Sequence, residues 1–200
     1  RKPMIMSTGL ASLHEISSAV NAAYDEGNKQ IILLHCISSY PAPIEQSNVR
    51  TVKHLAETFG VVSGLSDHTL SNAASIASIA VGGSVIEKHF TIRRSDGGPD
   101  AAFSLEPDEF SCLTQECKDA WHSLGKVDYT IKAAEQQNLK FRRSIYFVRD
   151  LIAGSLVCKE DVRIIRPGFG LPPVEIDRII GRRLKVDVTR GQATDWNYFL

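Results

Sequence analysis

The 200 residues carry 23 basic and 23 acidic side chains, so the formal net charge is zero, and 43% hydrophobic with 23% charged content is the balance of an ordinary globular protein. Such a chain gives no reason to expect nucleic acid or a membrane surface as a partner. No apolar run approaches the roughly 20 residues that cross a bilayer, and the opening residues do not read as a charged-then-apolar leader, so the cytoplasm is the expected compartment.

In chain order, the sequence starts at Arg1 and enters a β-type run at once, which reads as the interior of a longer protein. Residues 4–7, 30–35, 61–65 and 84–90 are apolar nearly throughout, as parallel strands buried on both faces are. Helical spacing fills the stretches between them. Residues 10–26 place Leu13, Ile16, Val20 and Ala23 on one face, with Ser12 as N-cap and Glu15 three residues on as its capping-box partner. Residues 48–58 group Val49, Val52, Leu55 and Ala56. Residues 71–81 are small and apolar almost all round, and residues 107–124 open with Pro107, Asp108 and Glu109, as a helix N-terminus should.

Four strand–helix units in succession predict a parallel α/β architecture, with a doubly wound sheet and a barrel both open. As half of an eight-stranded barrel they would leave apolar strand edges unpaired. We therefore expect an N-terminal half in the natural protein, and these 200 residues by themselves to be poorly soluble or to pair their edges with another copy. Residues 125–140 turn polar and read as a linker. Residues 141–200 change again to short β-type runs, such as 144–148, broken by turn residues, so a small loop-rich second domain is expected. Within it the RPGFGLPP segment beginning at Arg166 has too many prolines and glycines for a regular helix or central strand. The four cysteines, Cys36, Cys112, Cys117 and Cys158, form no CxxC pair and are expected to be reduced and mostly buried.

Chemistry in a barrel comes from the C-terminal ends of the strands and the loops after them. The third strand ends in GLSDHT, where alternation sends Ser66 and His68 to one side and Asp67 to the other. The fourth ends in EKHFT, with Glu87 and His89 on a shared side. If those sides face the barrel axis, two imidazoles converge, and two such ligands would leave positions on a divalent metal open to water and substrate. The bland alternative is a pair of hydrogen-bonded histidines at strand ends. His35, inside IILLHC, reads as a core histidine, and His14, His54 and His122 as surface residues of helices. Ser38 and Tyr40 alternate onto one face after the second strand, and Ser7 ends the first. Hydroxyls so placed suit an anion such as phosphate, or simply cap turns. The long loop 93–107 carries Asp100, a candidate for a sugar hydroxyl or a turn residue.

Taken together, STG at Ser7, SYPAP at Ser39, GLSDHT at Gly64, EKHFT at Glu87, GGPDAAFSLEP at Gly97 and RPGFGLPP at Arg166 resemble the sialic acid synthase family, in that family's order and over nearly the whole chain. The forms SSYPAPIE, GGPDAAFSLEPDEF and FRRSIYFV are most similar to its pseudaminic acid synthases, with the N-acetylneuraminate and legionaminate synthases next. The resemblance implies the C-terminal half of a (βα)8 TIM barrel over residues 1–124, a linker over 125–140, and a β-clip SAF, or antifreeze-protein-like, cap domain over 141–200. It implies that His68 and His89 hold a divalent metal, usually Mn2+, with Mg2+ or Co2+ as alternatives. By the same resemblance Ser7 and Ser66 hold the phosphate of phosphoenolpyruvate, and Tyr40 and Asp100 lie beside the sugar. Ser38 is assigned to the same phosphate, although N-acetylneuraminate synthases have asparagine there, and Glu87 matches a family glutamate and is the catalytic candidate. Arg166 matches an arginine that one subunit's cap places over the other's active site, which implies a domain-swapped homodimer.

The implied reaction condenses phosphoenolpyruvate with an acylamino-hexose aldehyde to give a nine-carbon 2-keto acid and phosphate. Because the family's catalytic glutamate and phosphate-binding lysines lie in the first half of the barrel, these 200 residues alone are expected to be inactive. Two other readings compete: an unrelated metal-dependent barrel aldolase, which has no use for RPGFGLPP, and a non-enzymatic SAF binding module. Ice binding would want a threonine-rich face, and residues 141–200 contain only two threonines.

Overall fold

The computed structural model describes residues 2–200, which divide into two compact units, one ending at Val127 and the other running from Asp128 to Leu200. In the first, strands β1 (Met4–Ser7), β2 (Ile31–Cys36), β3 (Val62–Asp67) and β4 (Val85–Lys88) form one parallel sheet in sequence order. Helices α1 (Leu13–Asp25), α2 (Arg50–Phe59) and α3 (Ala73–Ala80) connect consecutive strands, and α4 (Pro107–Leu124) follows the last. Parallel neighbours require such crossovers, and four in a row build half of a (βα)8 barrel.

Local chemistry sets the boundaries. The Ser12 hydroxyl accepts the Glu15 amide while the Glu15 carboxylate accepts the Ser12 amide, so α1 starts with the expected capping box. Gly60 closes α2 at φ 64°, a left-handed conformation that a side chain would strain. The amphipathic faces of α1 and α2 put Val20, Ala23 and Leu55 against Ile31 and Leu33, and a second cluster joins Val52, Leu65 and Ala74. Strand β2 is buried almost throughout. Strand β1 departs from the expectation of burial on both faces: Met4 and Ile5 are exposed, because β1 has a hydrogen-bonded neighbour, β2, on one side only.

The second unit is built on an antiparallel pair, β5 (Ser144–Phe147) with β6 (Val162–Ile165), and a short helix α5 (Ile176–Ile179). Isolated bridges such as Leu151–Val188, Leu156–Arg183 and Leu184–Phe199 fold the remaining chain around Ile145, Phe147, Val157, Val162, Ile179, Leu184, Val188 and Phe199. This is a small β-fold with its own core. The RPGFGLPP segment runs beside β5: the Ser144 hydroxyl donates to the Pro167 carbonyl and accepts from the Gly170 amide.

Two further details differ from the sequence expectation. The polar stretch read as a linker contains a 3-10 helix, Ala133–Phe141, whose first turn is closed by the Glu135 carboxylate accepting the Lys132 amide; it buries no residue, which is why it shows no apolar periodicity. The cysteines are all free, but only Cys36 is buried. Cys117 is half-buried, and Cys112 and Cys158 are exposed. No helix among the described residues is long and apolar enough to cross a membrane.

Candidate active site at the ends of the strands

The chemistry-bearing residues gather where β3 and β4 end. Alternation along β3 turns Ser66 and Asp67 to opposite sides, and the parallel register sets Ser66 beside Glu87 and Asp67 beside Lys88. The Ser66 hydroxyl donates to Glu87 Oε1 at 2.7 Å. One residue beyond each strand, His68 and His89 bring their rings to 5.1 Å between centroids, inclined at 62°. The two imidazoles therefore lie side by side.

His68 is buried, and its Nδ1 lies 2.8 Å from the Ile37 carbonyl oxygen. A carbonyl can only accept, so Nδ1 carries a proton, and in the neutral tautomer that bond selects, the lone pair is on Nε2. His89 is partly open to solvent, with Nδ1 3.6 Å from Asp100 Oδ2. Tyr40 packs on His68 at 4.3 Å between centroids and Phe103 on His89 at 5.0 Å. The loop bearing Tyr40 is tied to this corner by the Ala42 amide, which donates to the His68 carbonyl oxygen. Cys36 Sγ lies 3.8 Å from His68 Nδ1.

The residues singled out in the sequence thus fall into three groups. His68, His89, Tyr40 and Asp100 form one cluster, flanked by the hydrogen-bonded pair Ser66 and Glu87. Ser7 and Ser38 are exposed at the ends of β1 and β2, without a hydrogen bond to that cluster. The approach of β1's loop to β2's is close nonetheless: a Cβ on Gly9 would stand 2.3 Å from the Ser38 hydroxyl oxygen. Arg166 is exposed in the second unit, directly after β6. His35 is a core histidine as expected, its Nε2 donating to the Ser47 carbonyl oxygen at 2.8 Å, and burial holds its imidazole below the usual value despite that bond.

Among the described residues no group of three or more His, Cys, Asp and Glu side chains is set to enclose a metal ion. Two imidazoles, one with its tautomer fixed through a backbone carbonyl, match the donor chemistry of an open site that takes its remaining ligands from water or substrate. Sequence reasoning missed Phe103, which lies in a loop without periodicity, and it left unpartnered the charges between the site residues, Asp67 and Lys88. An apolar groove lined by Ile79, Ile86, Phe110, Leu113, Trp121 and Leu124 holds none of the candidate residues.

The model of the NeuB family matches residues 1–129, and that of the SAF domain residues 142–197. The chain belongs to the NeuB family. N,N'-diacetyllegionaminic acid synthase of Legionella pneumophila is 37% identical over 98% of this chain and 56% of its own length. A pseudaminic acid synthase of Campylobacter jejuni is 36% identical over 96% of this chain and 56% of its own. Among solved structures, the spore coat polysaccharide biosynthesis protein SpsE of Bacillus subtilis superposes over all of this chain and 61% of its own, with TM-score 0.59 and 30% identity. An N-acetylneuraminic acid synthetase of Leptospira borgpetersenii, in complex with citrate, covers 70% of this chain at TM-score 0.61 and 33% identity. The chain spans a little over half the length of these two curated relatives.

Proposed function

We propose that this NeuB-family chain is part of an enzyme that condenses phosphoenolpyruvate with an acylamino-hexose aldehyde, forming a nine-carbon 2-keto acid and releasing phosphate, and that it acts as a pseudaminic acid synthase. Support for the reaction class comes from relatives named as synthases of pseudaminic and legionaminic acids at 34–37% identity. Support for the narrower reading comes from the SSYPAPIE, GGPDAAFSLEPDEF and FRRSIYFV forms of this sequence. The single observation that carries the site assignment is the 5.1 Å approach of the His68 and His89 rings.

In this reading His68, through Nε2, and His89 hold a divalent ion, with Mn2+ preferred over Mg2+ or Co2+. Once bound, that ion would supply Lewis-acid polarisation of the aldehyde oxygen. Tyr40 and Asp100, both exposed beside His89, line the sugar. Ser66 would turn its single hydroxyl proton from Glu87 to the phosphate, which it holds with Ser7 and Ser38, and Glu87, released as its acceptor, is the candidate for proton exchange. Arg166 contacts the acylamino group from the cap of a second subunit in a domain-swapped homodimer, and the work is done in the cytoplasm.

The test is to mix the complete protein with phosphoenolpyruvate, Mn2+ and a panel of acylamino-hexoses, following phosphate release and the mass of the product. The proposal expects phosphate and a nine-carbon keto acid with a diacylamino sugar. Phosphate release with none of the sugars would end it, and selective use of a mono-acylated hexose would move the reading to an N-acetylneuraminate synthase.

A further inference from the structure

Each histidine-bearing strand end has the same three-residue rhythm. In β3 and its extension, Asp67 lies between Ser66 and His68; in β4, Lys88 lies between Glu87 and His89. The intervening residues alternate to the opposite side of the sheet from the histidines and are register partners. Lys88 Nζ meets Asp67 Oδ2 at 2.9 Å, and both side chains are 1% exposed.

A buried ion pair gives little net stability, because desolvating two charges offsets most of their attraction, and well-packed apolar replacements are often as stable or more so. What distinguishes this pair is what else it holds. Lys88 Nζ also donates to the carbonyl oxygens of Thr69 at 2.7 Å and Ser71 at 3.0 Å. Asp67 Oδ1 accepts the Thr69 amide at 2.8 Å, and Oδ2 accepts the fully buried Ser75 hydroxyl of α3 at 2.6 Å. Every ammonium proton and both carboxylate oxygens are used. The turn immediately after His68 is thereby fastened to the residue immediately before His89.

We infer that Asp67 and Lys88, with Ser75, are positioning residues that set the mutual aim of the His68 and His89 rings, acting on the metal site through the backbone rather than by touching the ion. The inference rests on the reading of that pair as a metal site. A Lys88→Met change alone would leave the Asp67 charge buried and unpaired and would unsettle the fold, so it decides nothing. The informative variants are the double change Asp67→Asn with Lys88→Met, which removes both charges while freeing the Thr69 and Ser71 carbonyls, and Ser75→Ala, which removes one hydrogen bond.

Both variants are made in the complete protein and read three ways: thermal unfolding, Co2+ affinity from the visible absorption of the bound ion, and ring-nitrogen NMR signals of His68 without metal. We expect Ser75→Ala to melt within a few degrees of the wild type and the double variant lower because two carbonyls lose their donor, with Co2+ affinity lowered by about 10–100-fold in the double variant and less in Ser75→Ala, and displaced or broadened His68 signals in both. A merely structural pair predicts changed melting with Co2+ affinity and His68 signals unmoved, and that result overturns the inference. Wild-type protein that takes up no Co2+ sinks the metal reading instead; the His68 signals then decide the inference by themselves, and unchanged signals in both variants refute it.

Discussion

Gly64 sits in β3 opposite Val85 of β4, inside the strand pair whose spacing brings His68 to His89. A Cβ added there would stand 2.1 Å from the Val85 carbonyl oxygen and 2.9 Å from Leu34 Cδ2, where real Cβ contacts essentially never fall under 3.0 Å. Because the nearer obstacle is backbone, it cannot rotate aside, and β4 must retreat by about 1 Å in a close-packed layer. Overpacking of this kind costs about 1–3 kcal/mol, and a backbone clash belongs at the upper end. For a chain of this size each kcal/mol lowers the melting temperature by about 2–4 °C, so Gly64→Ala should lose about 6–12 °C. Gly60→Ala is the control: with φ at 64° and nothing within 4 Å of the new Cβ, it suffers backbone strain alone. That strain is worth about 1–2 kcal/mol, or about 2–8 °C. Scanning calorimetry of the two variants beside the wild type checks the order. A Gly64→Ala protein that melts no lower than Gly60→Ala would refute the claim that β3 and β4 are held at their closest approach.

Burial keeps His35 below its ordinary value near 6.5, so below that pH the unfolded chain takes up a proton that the folded chain refuses. Stability should therefore be full well above the unfolded value and fall as the solution is acidified through about pH 6.5 toward the lower folded value, and the fall should flatten in His35→Gln; urea midpoints at a series of pH values read both, and equal slopes would contradict the assignment. Arg94 pins the loop of Asp100 to α4, forking onto Glu109 while its own amide donates to Glu106. The guanidinium holds the Glu109 carboxyl down at about 2, so the clamp's contribution is complete above the usual carboxylate range and lost only as pH falls toward about 2. Arg94→Ala should leave melting nearly unchanged, as exposed ion pairs do, while speeding limited proteolysis within residues 94–106; an unaltered cleavage rate would show that the loop is held by other contacts.

The parts of this architecture that depend on local pattern were legible in the sequence. The Ser12–Glu15 box announced α1, and alternation alone placed Ser66 and His68 opposite Asp67. What needed the fold was register. Nothing in SDH or EKH says that Ser66 lies beside Glu87 or that Asp67 meets Lys88, because pairing between strands separated by a helix leaves no local mark. Charge also misleads at Lys88, since a lysine is rarely buried and reads as a solvated residue until its partner is known. Likewise β1 has the composition of a buried strand, yet its exposure is decided by its place at the sheet edge.

The central claim is that His68 and His89 share one divalent ion, and direct titration of the complete protein with Mn2+, followed by the loss of the free-ion electron paramagnetic resonance signal, tests it with least intervening assumption. The account predicts one ion bound per chain in the wild type and none at comparable concentration in His68→Ala or His89→Ala. Undiminished uptake by either variant, or no uptake by the wild type, would contradict it.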